Sequence, residues 1–141
     1  MKTYKASRKG FIKYLMMGFV MLLVVVFYLG RDVFLESPLA MLPLGLPIIL
    51  TFWIYFDTGY TILNNELIYR SGFLRGKIDI ATIVKIVNGK TLWSGLKPAL
   101  ATKGLIIEFN RFDEIYIAPE NNDELITDLL KVNPKISITQ E

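Results

Sequence analysis

With 141 residues, 52% of them hydrophobic, the chain has room for a membrane anchor and one small folded domain rather than for two. It contains no cysteine and no histidine, which excludes disulfides, thiolate metal sites and cysteine nucleophiles and removes the commonest general base and zinc ligand. The net charge of +3 is unevenly spread: residues 1–56 carry six basic and two acidic side chains, residues 57–141 ten and eleven, so the polar part lacks the basic excess that nucleic-acid phosphates require.

Residues 1–13 hold five basic side chains, Lys2, Lys5, Arg8, Lys9 and Lys13, and no acid. From Tyr14 to Gly30 there follow 17 residues without charge, and from Ser37 to Phe56 another 20. As helices these runs span roughly 25 and 30 Å, which matches the hydrocarbon core of a bilayer. Apolar side chains such as Phe19, Leu22, Leu23, Val24, Val25, Val26 and Phe27 favour insertion of the first run by about 3 to 6 kcal/mol in total. Two transmembrane helices are therefore expected, at about 12–30 and 38–56. Pro43 and Pro47, with Gly45 between them, remove backbone donors and predict a kink or a broken first turn in the second. A broken helix can hold a ligand, but no ionisable residue accompanies these prolines, which favours a tolerated kink in an anchor.

The basic cluster flanks the first run, whereas the connector has only Arg31 against Asp32 and Glu36. The positive side stays in the cytoplasm, so both termini are expected at the cytoplasmic face of a bacterial inner membrane. A secretory signal is disfavoured because Tyr28-Leu29-Gly30-Arg31 offers no small-x-small cleavage site. Tyr4, Phe11, Tyr14, Tyr28, Trp53 and Tyr55 suit interfacial positions.

From residue 57 to 141 the pattern changes to short alternating segments, which read as strands. Tyr60 and Ile62 share a face, Asn64-Asn65 can supply the positive φ angles of a tight hairpin, and Glu66 to Arg70 returns. Lys77 to Ile80, Val84 to Val87, Leu105 to Phe109 and Glu114 to Ala118 continue the alternation. A helix closes the domain, with Asn121 or Asn122 as N-cap, Asp123 and Glu124 at its positive end, and Leu125, Ile126, Leu129 and Leu130 as its apolar stripe. Pro134 fits a helix that has already stopped. The expected fold is α+β: a two-helix transmembrane hairpin (1–56, with its basic N-terminal segment), then a small antiparallel sheet or barrel closed by a C-terminal helix (57–141).

Thr58-Gly59-Tyr60-Thr61-Ile62, Glu66-Leu67-Ile68, Arg70-Ser71-Gly72 and Lys77-Ile78-Asp79-Ile80 resemble the YyaB-like bacterial pleckstrin-homology (PH) domain family. Pro98-Ala99-Leu100, Leu105-Ile106-Ile107, Ile117-Ala118-Pro119 and the stretch from Leu130 to Asn133-Pro134 follow the same order and spacing. The resemblance implies a PH-like barrel behind transmembrane helices and transfers no catalytic residue and no cofactor. The segment Asn88 to Gly104, rich in Gly, Lys and Trp, departs most from that pattern.

Two surfaces stand out as candidate interaction sites. The tip formed by Arg70, Phe73, Leu74, Arg75 and Lys77 combines cations with apolar groups, as a surface entering an anionic headgroup layer does. Its competing reading is an ordinary hairpin whose Phe73 and Leu74 fold over the barrel or touch the anchor. The long loop with Lys90, Trp93, Lys97 and Lys103 is the second, with Trp93 either an anchor for a partner or buried over an open barrel end. Gly89-Lys90-Thr91 is not a P-loop, because Val84 stands where that motif has its first glycine. Ser94-Gly95-Leu96-Lys97 matches S-x-x-K without any other element of that catalytic set, and Asp113-Glu114 and Asp123-Glu124 suit turn and helix-start roles. No convergent acid, base and nucleophile set exists, so a non-enzymatic module is expected, presenting a cytoplasmic surface to a protein partner or to lipid headgroups. A small bacteriocin-immunity or membrane-stress protein acting through its spans is the alternative.

Overall fold

A computed structural model describes all residues from Met1 to Glu141. The chain opens with a strand, β1 (Lys2–Lys5), before the apolar helices α1 (Phe11–Leu29) and, after the short α2 (Arg31–Glu36), α3 (Leu42–Asp57). Both apolar segments are long enough to cross a membrane, and almost none of their residues is buried by the rest of the protein. The first turn of the second segment is a 3₁₀ turn over Pro38–Met41. Pro43 then occupies the first turn of α3, where no donor is needed, and the helix continues through Pro47, whose carbonyl accepts from Thr51 Oγ1 at 2.8 Å. The disturbance expected from the prolines is thus concentrated at the entry to the helix.

Seven further strands follow: β2 (Gly59–Leu63), β3 (Glu66–Ser71), β4 (Leu74–Asp79), β5 (Ile83–Asn88), β6 (Leu105–Phe109), β7 (Asp113–Ile117) and, beyond helix α4 (Asn122–Val132), β8 (Ser137–Gln140). The β2–β3 turn is made by Asn64 and Asn65 at φ 50° and 62°, a mirror-image turn whose twist matches the strands it joins. That turn sets Tyr60 opposite Tyr69 and Ile62 opposite Leu67. Lys2–Lys5, expected as a basic segment accompanying the apolar helices, is instead the outer strand of this sheet, with Tyr4 opposite Tyr60 and Lys5 opposite Gly59. Its alternation turns Tyr4 into the core and leaves its two lysines exposed.

The expected barrel is two four-stranded sheets, β1-β2-β3-β4 and β7-β6-β5-β8, with no continuous ladder between them. They share one hydrophobic core, and backbone hydrogen bonds bridge them where Ser7 N donates to Ala118 O at 2.7 Å and Glu120 N to Lys5 O at 2.9 Å. β8 was not anticipated from the sequence: it is fully exposed and pairs parallel to β5. α4 behaves as its residues dictate. Asn121 caps it by accepting from Glu124 N at 3.2 Å, and Leu125, Ile126 and Leu129 are buried in the core between the sheets. Each such side chain contributes about 1.5–3 kcal/mol. At the far end Asn133 Nδ2 donates to the carbonyls of Ile80 (3.0 Å) and Ile83 (3.3 Å), tying the helix to the crossing between the sheets.

Candidate functional site

α3 runs into β2 through one residue, Thr58, and the joint is densely bonded. Thr58 Oγ1 donates to Ile54 O at 2.6 Å and lies 2.8 Å from Ser71 Oγ. The β3–β4 turn rests on the same joint. Asp57 Oδ2 accepts from Gly72 N at 3.0 Å and from Arg75 Nη2 at 3.2 Å, while Arg70 Nε stands 4.0 Å from Asp57 Oδ1. Phe73 sets its ring edge-on to Trp53 with centroids 4.9 Å apart, and Lys77 pairs with Glu66 at 2.7 Å. Of the two readings of this tip, its geometry is that of a hairpin touching the apolar helix. Phe73 is nevertheless 72% exposed and Leu74 is exposed beside it, so the tip is a charge-compensated joint with an apolar outer surface.

Two tyrosines hold the long loop between β5 and β6. Tyr60 OH, on β2, donates to Pro98 O at 2.7 Å and accepts from Ala118 N at 3.0 Å. Tyr116 OH, on β7, donates to Ala101 O at 2.7 Å and accepts from Gly104 N at 2.9 Å. Burial pushes both hydroxyls above the ordinary phenol value, so they stay protonated as fixed donors rather than acting as bases. Pro98 and Ala101 fill the space beneath the loop, and Trp93 is left 89% exposed. The reading in which Trp93 is buried over an open barrel end is therefore wrong. Of the loop lysines, Lys90 pairs with Glu141 at 2.6 Å, Lys97 lies over the Tyr116 ring at 5.0 Å, and Lys103 has no acidic partner.

The two candidate surfaces do not form one site, since the first is engaged with α3 and the second is pinned by strand tyrosines. Sequence reasoning used Arg8 and Lys9 only to assign orientation. The structure puts Arg8 over the Tyr55 ring at 4.7 Å and Lys9 into a groove with Lys97. Phe112, 88% exposed in the β6–β7 turn, also escaped notice, because an aromatic in a polar turn has no periodic signal.

A cluster around α4 joins the N-terminus to the fold. Asp128 accepts from Lys2, from Tyr4 OH at 2.6 Å and from Lys131 Nζ at 2.8 Å, and Lys2 also reaches Glu124 at 2.8 Å. The hydrogen bonds from Lys131, Lys2 and Tyr4 hold the Asp128 carboxyl well below the usual carboxylate range. Every carboxylate oxygen partner here is a cation or a hydroxyl, so the cluster acts as a clasp for β1.

Two family models described as bacterial PH domain match the chain, one over residues 58–133 and the other over residues 13–91, each more than half of it. The second begins inside α1 and ends in the long loop, so it takes in most of the apolar helices together with strands β2 to β5. The chain is also similar to the uncharacterized protein YyaB of Bacillus subtilis (strain 168), with 28% identity over 90 residues. That match covers 63% of this chain and 62% of the relative. No solved structure matches the chain.

Proposed function

We propose that this chain, which belongs to the bacterial PH domain family, is a non-enzymatic module fixed to the cytoplasmic face of the inner membrane and presenting its β5–β6 loop to a protein partner. One observation carries the reading: β1 and β2 lie on either side of the apolar helices in sequence yet pair residue for residue, Lys5 opposite Gly59. The chain leaves the sheet and returns to it, which supports a hairpin with both ends on one side of the membrane. The basic cluster supports the cytoplasm as that side. The Asp57 and Thr58 joint gives the domain a firm mount, and a mounted module meets other membrane proteins at raised effective concentration. Trp93 at the loop surface offers a large aromatic contact that the fold itself leaves unused.

Single cysteines in this cysteine-free chain test the topology. An Asp32→Cys variant should react with a membrane-impermeant thiol reagent on intact cells, and Asn110→Cys only after lysis. The reverse pattern would refute the orientation. For the partner, a photoreactive group at position 93 should trap a product in native membranes that an otherwise identical group at exposed Phe112 does not. Equal products at both positions would remove the loop from the proposal.

A further inference from the structure

We infer that the groove where α1 leaves the β-domain binds the phosphate headgroup of an anionic phospholipid drawn from the bilayer that α1 enters. The inference rests on the membrane-anchored part of the reading above and adds a ligand class and a site. Seven cations, Lys2, Arg70, Arg75, Lys77, Lys85, Lys90 and Lys131, each pair with a carboxylate. Lys9, Lys97 and Lys103 do not, and the fold gathers these three.

Lys9 and Lys97 line a groove of about 230 Å³ between the start of α1 and the loop. Lys9 and Lys103 line a second of about 530 Å³, and the two abut through Lys9, Ala101 and Thr102. No carboxylate lines the first, and Glu120 is the sole acid of the second. Two of the lysines are held from the protein side. Lys97 stacks over Tyr116, and the backbone at Lys103 is fixed by its N–H to Thr91 Oγ1 (2.9 Å) and its carbonyl to Asn122 Nδ2 (3.1 Å). Three cations brought together against the single carboxylate of Glu120 leave a net positive charge that favours an anion.

The remaining wall specifies which anion. It is apolar, made by Phe11, Ile12 and Leu100, and Phe11 is 75% exposed at the first residue of α1. Past Lys13 that helix carries no charge to its end. Cations above and apolar side chains leading along a membrane-length helix match a headgroup with its acyl chains attached, whereas free phosphate gains nothing from the apolar wall.

The test uses the full chain in nanodiscs of phosphatidylcholine containing phosphatidylglycerol, followed by extraction in neutral detergent and a count of each lipid retained. Wild type should retain phosphatidylglycerol in excess over its share of the disc. The Lys9→Gln/Lys97→Gln/Lys103→Gln variant should lose that excess at least tenfold, since each cation near the surface changes lipid affinity about fivefold. Arginine at the same three positions should restore it, which separates charge from misfolding, and Lys85→Gln/Arg111→Gln/Lys135→Gln should keep it. No excess in wild type, retention by the first variant, or equal loss in the last would each overturn the site. So would displacement of the lipid by inorganic phosphate but not by chloride of equal ionic strength, which would make it a soluble-anion site. Failure of the chain to enter pure phosphatidylcholine discs would instead remove the membrane reading on which the inference rests.

Discussion

Replacing Tyr60 by phenylalanine removes one oxygen atom and two hydrogen bonds, one that holds the long loop to β2 and one that holds the chain just after β7. The hydroxyl sits 2.7 Å from Pro98 O and 3.0 Å from Ala118 N, and Tyr60, Pro98 and Ala118 are all buried. Phenylalanine keeps the ring packing but leaves a carbonyl and an amide facing a gap of atomic size, too small for water. A stranded buried polar group costs about 1–3 kcal/mol. Part of that is offset because the hydroxyl itself no longer has to be desolvated, so the net loss for two groups is about 2–4 kcal/mol. For a domain of this size such a loss lowers the melting temperature by roughly 10–20 °C. Thermal unfolding of the full chain in detergent, followed by circular dichroism, measures it. Tyr69→Phe is the internal control, because that ring packs over Gly76 and its hydroxyl has no hydrogen-bond partner; it should stay within about 0.5 kcal/mol of wild type. Amide exchange should also rise in the loop, at Ala99 and Ala101, before it rises in the strands. If Tyr60→Phe melts with Tyr69→Phe, the tyrosine does not hold the loop and the reasoning fails.

The pairing of β1 predicts that Thr3→Cys/Thr61→Cys, a register pair, forms an intramolecular disulfide under mild oxidant, visible as a mobility shift reversed by reductant; absence of the shift would mean that the N-terminus is not a strand of the sheet. Gly72→Ala should destabilise by about 1–3 kcal/mol, since Gly72 has φ 58° and a Cβ there would lie 2.7 Å from Ile54 Cγ1. The loss should be smaller in an Ile54→Ala background, and an equal loss there would remove the Ile54 contact from the account. The Asp128 carboxyl has a lower pKa in the folded than in the unfolded chain, so its contribution to stability is complete above its ordinary value of 3.8 and is lost as pH falls from there toward the folded value. Asp128→Asn should therefore flatten the decline in melting temperature below about pH 4. Wild type and variant falling in parallel would show that the β1 clasp is not linked to this proton.

Several elements are legible residue by residue. The absence of charge from Tyr14 to Gly30 and from Ser37 to Phe56 announces the two apolar helices, Asn64-Asn65 announces its turn, and Asn121 with the stripe Leu125, Ile126 and Leu129 announces α4. Each of these signals lies within a few neighbouring residues: hydropathy sets helix length, a positive φ needs a tolerant residue, and a cap needs a side-chain acceptor. Two strands escaped because their signals are weak and their partners distant. Lys2–Lys5 alternates, but its charge marks it as a helix flank, and Ser137–Gln140 has no buried side chain to betray it.

The candidate surfaces divide in the same way. Residue types at the β3–β4 tip and in the β5–β6 loop are visible in the sequence, but the use made of them is not. Arg70 and Arg75 look like free cations until the fold brings Asp57 between them, and Trp93 faces solvent because Pro98 and Ala101, fastened by tyrosines from two different strands, already occupy the interior. What the sequence by itself determined is local: where the chain is apolar enough to leave water, where it turns, and where a helix begins. Which lysines keep their charge unpaired, which strand edges meet and which aromatic is left outside depended on tertiary contacts between segments far apart in the chain, because the free energy of pairing and burial belongs to two surfaces at once and is written in neither alone.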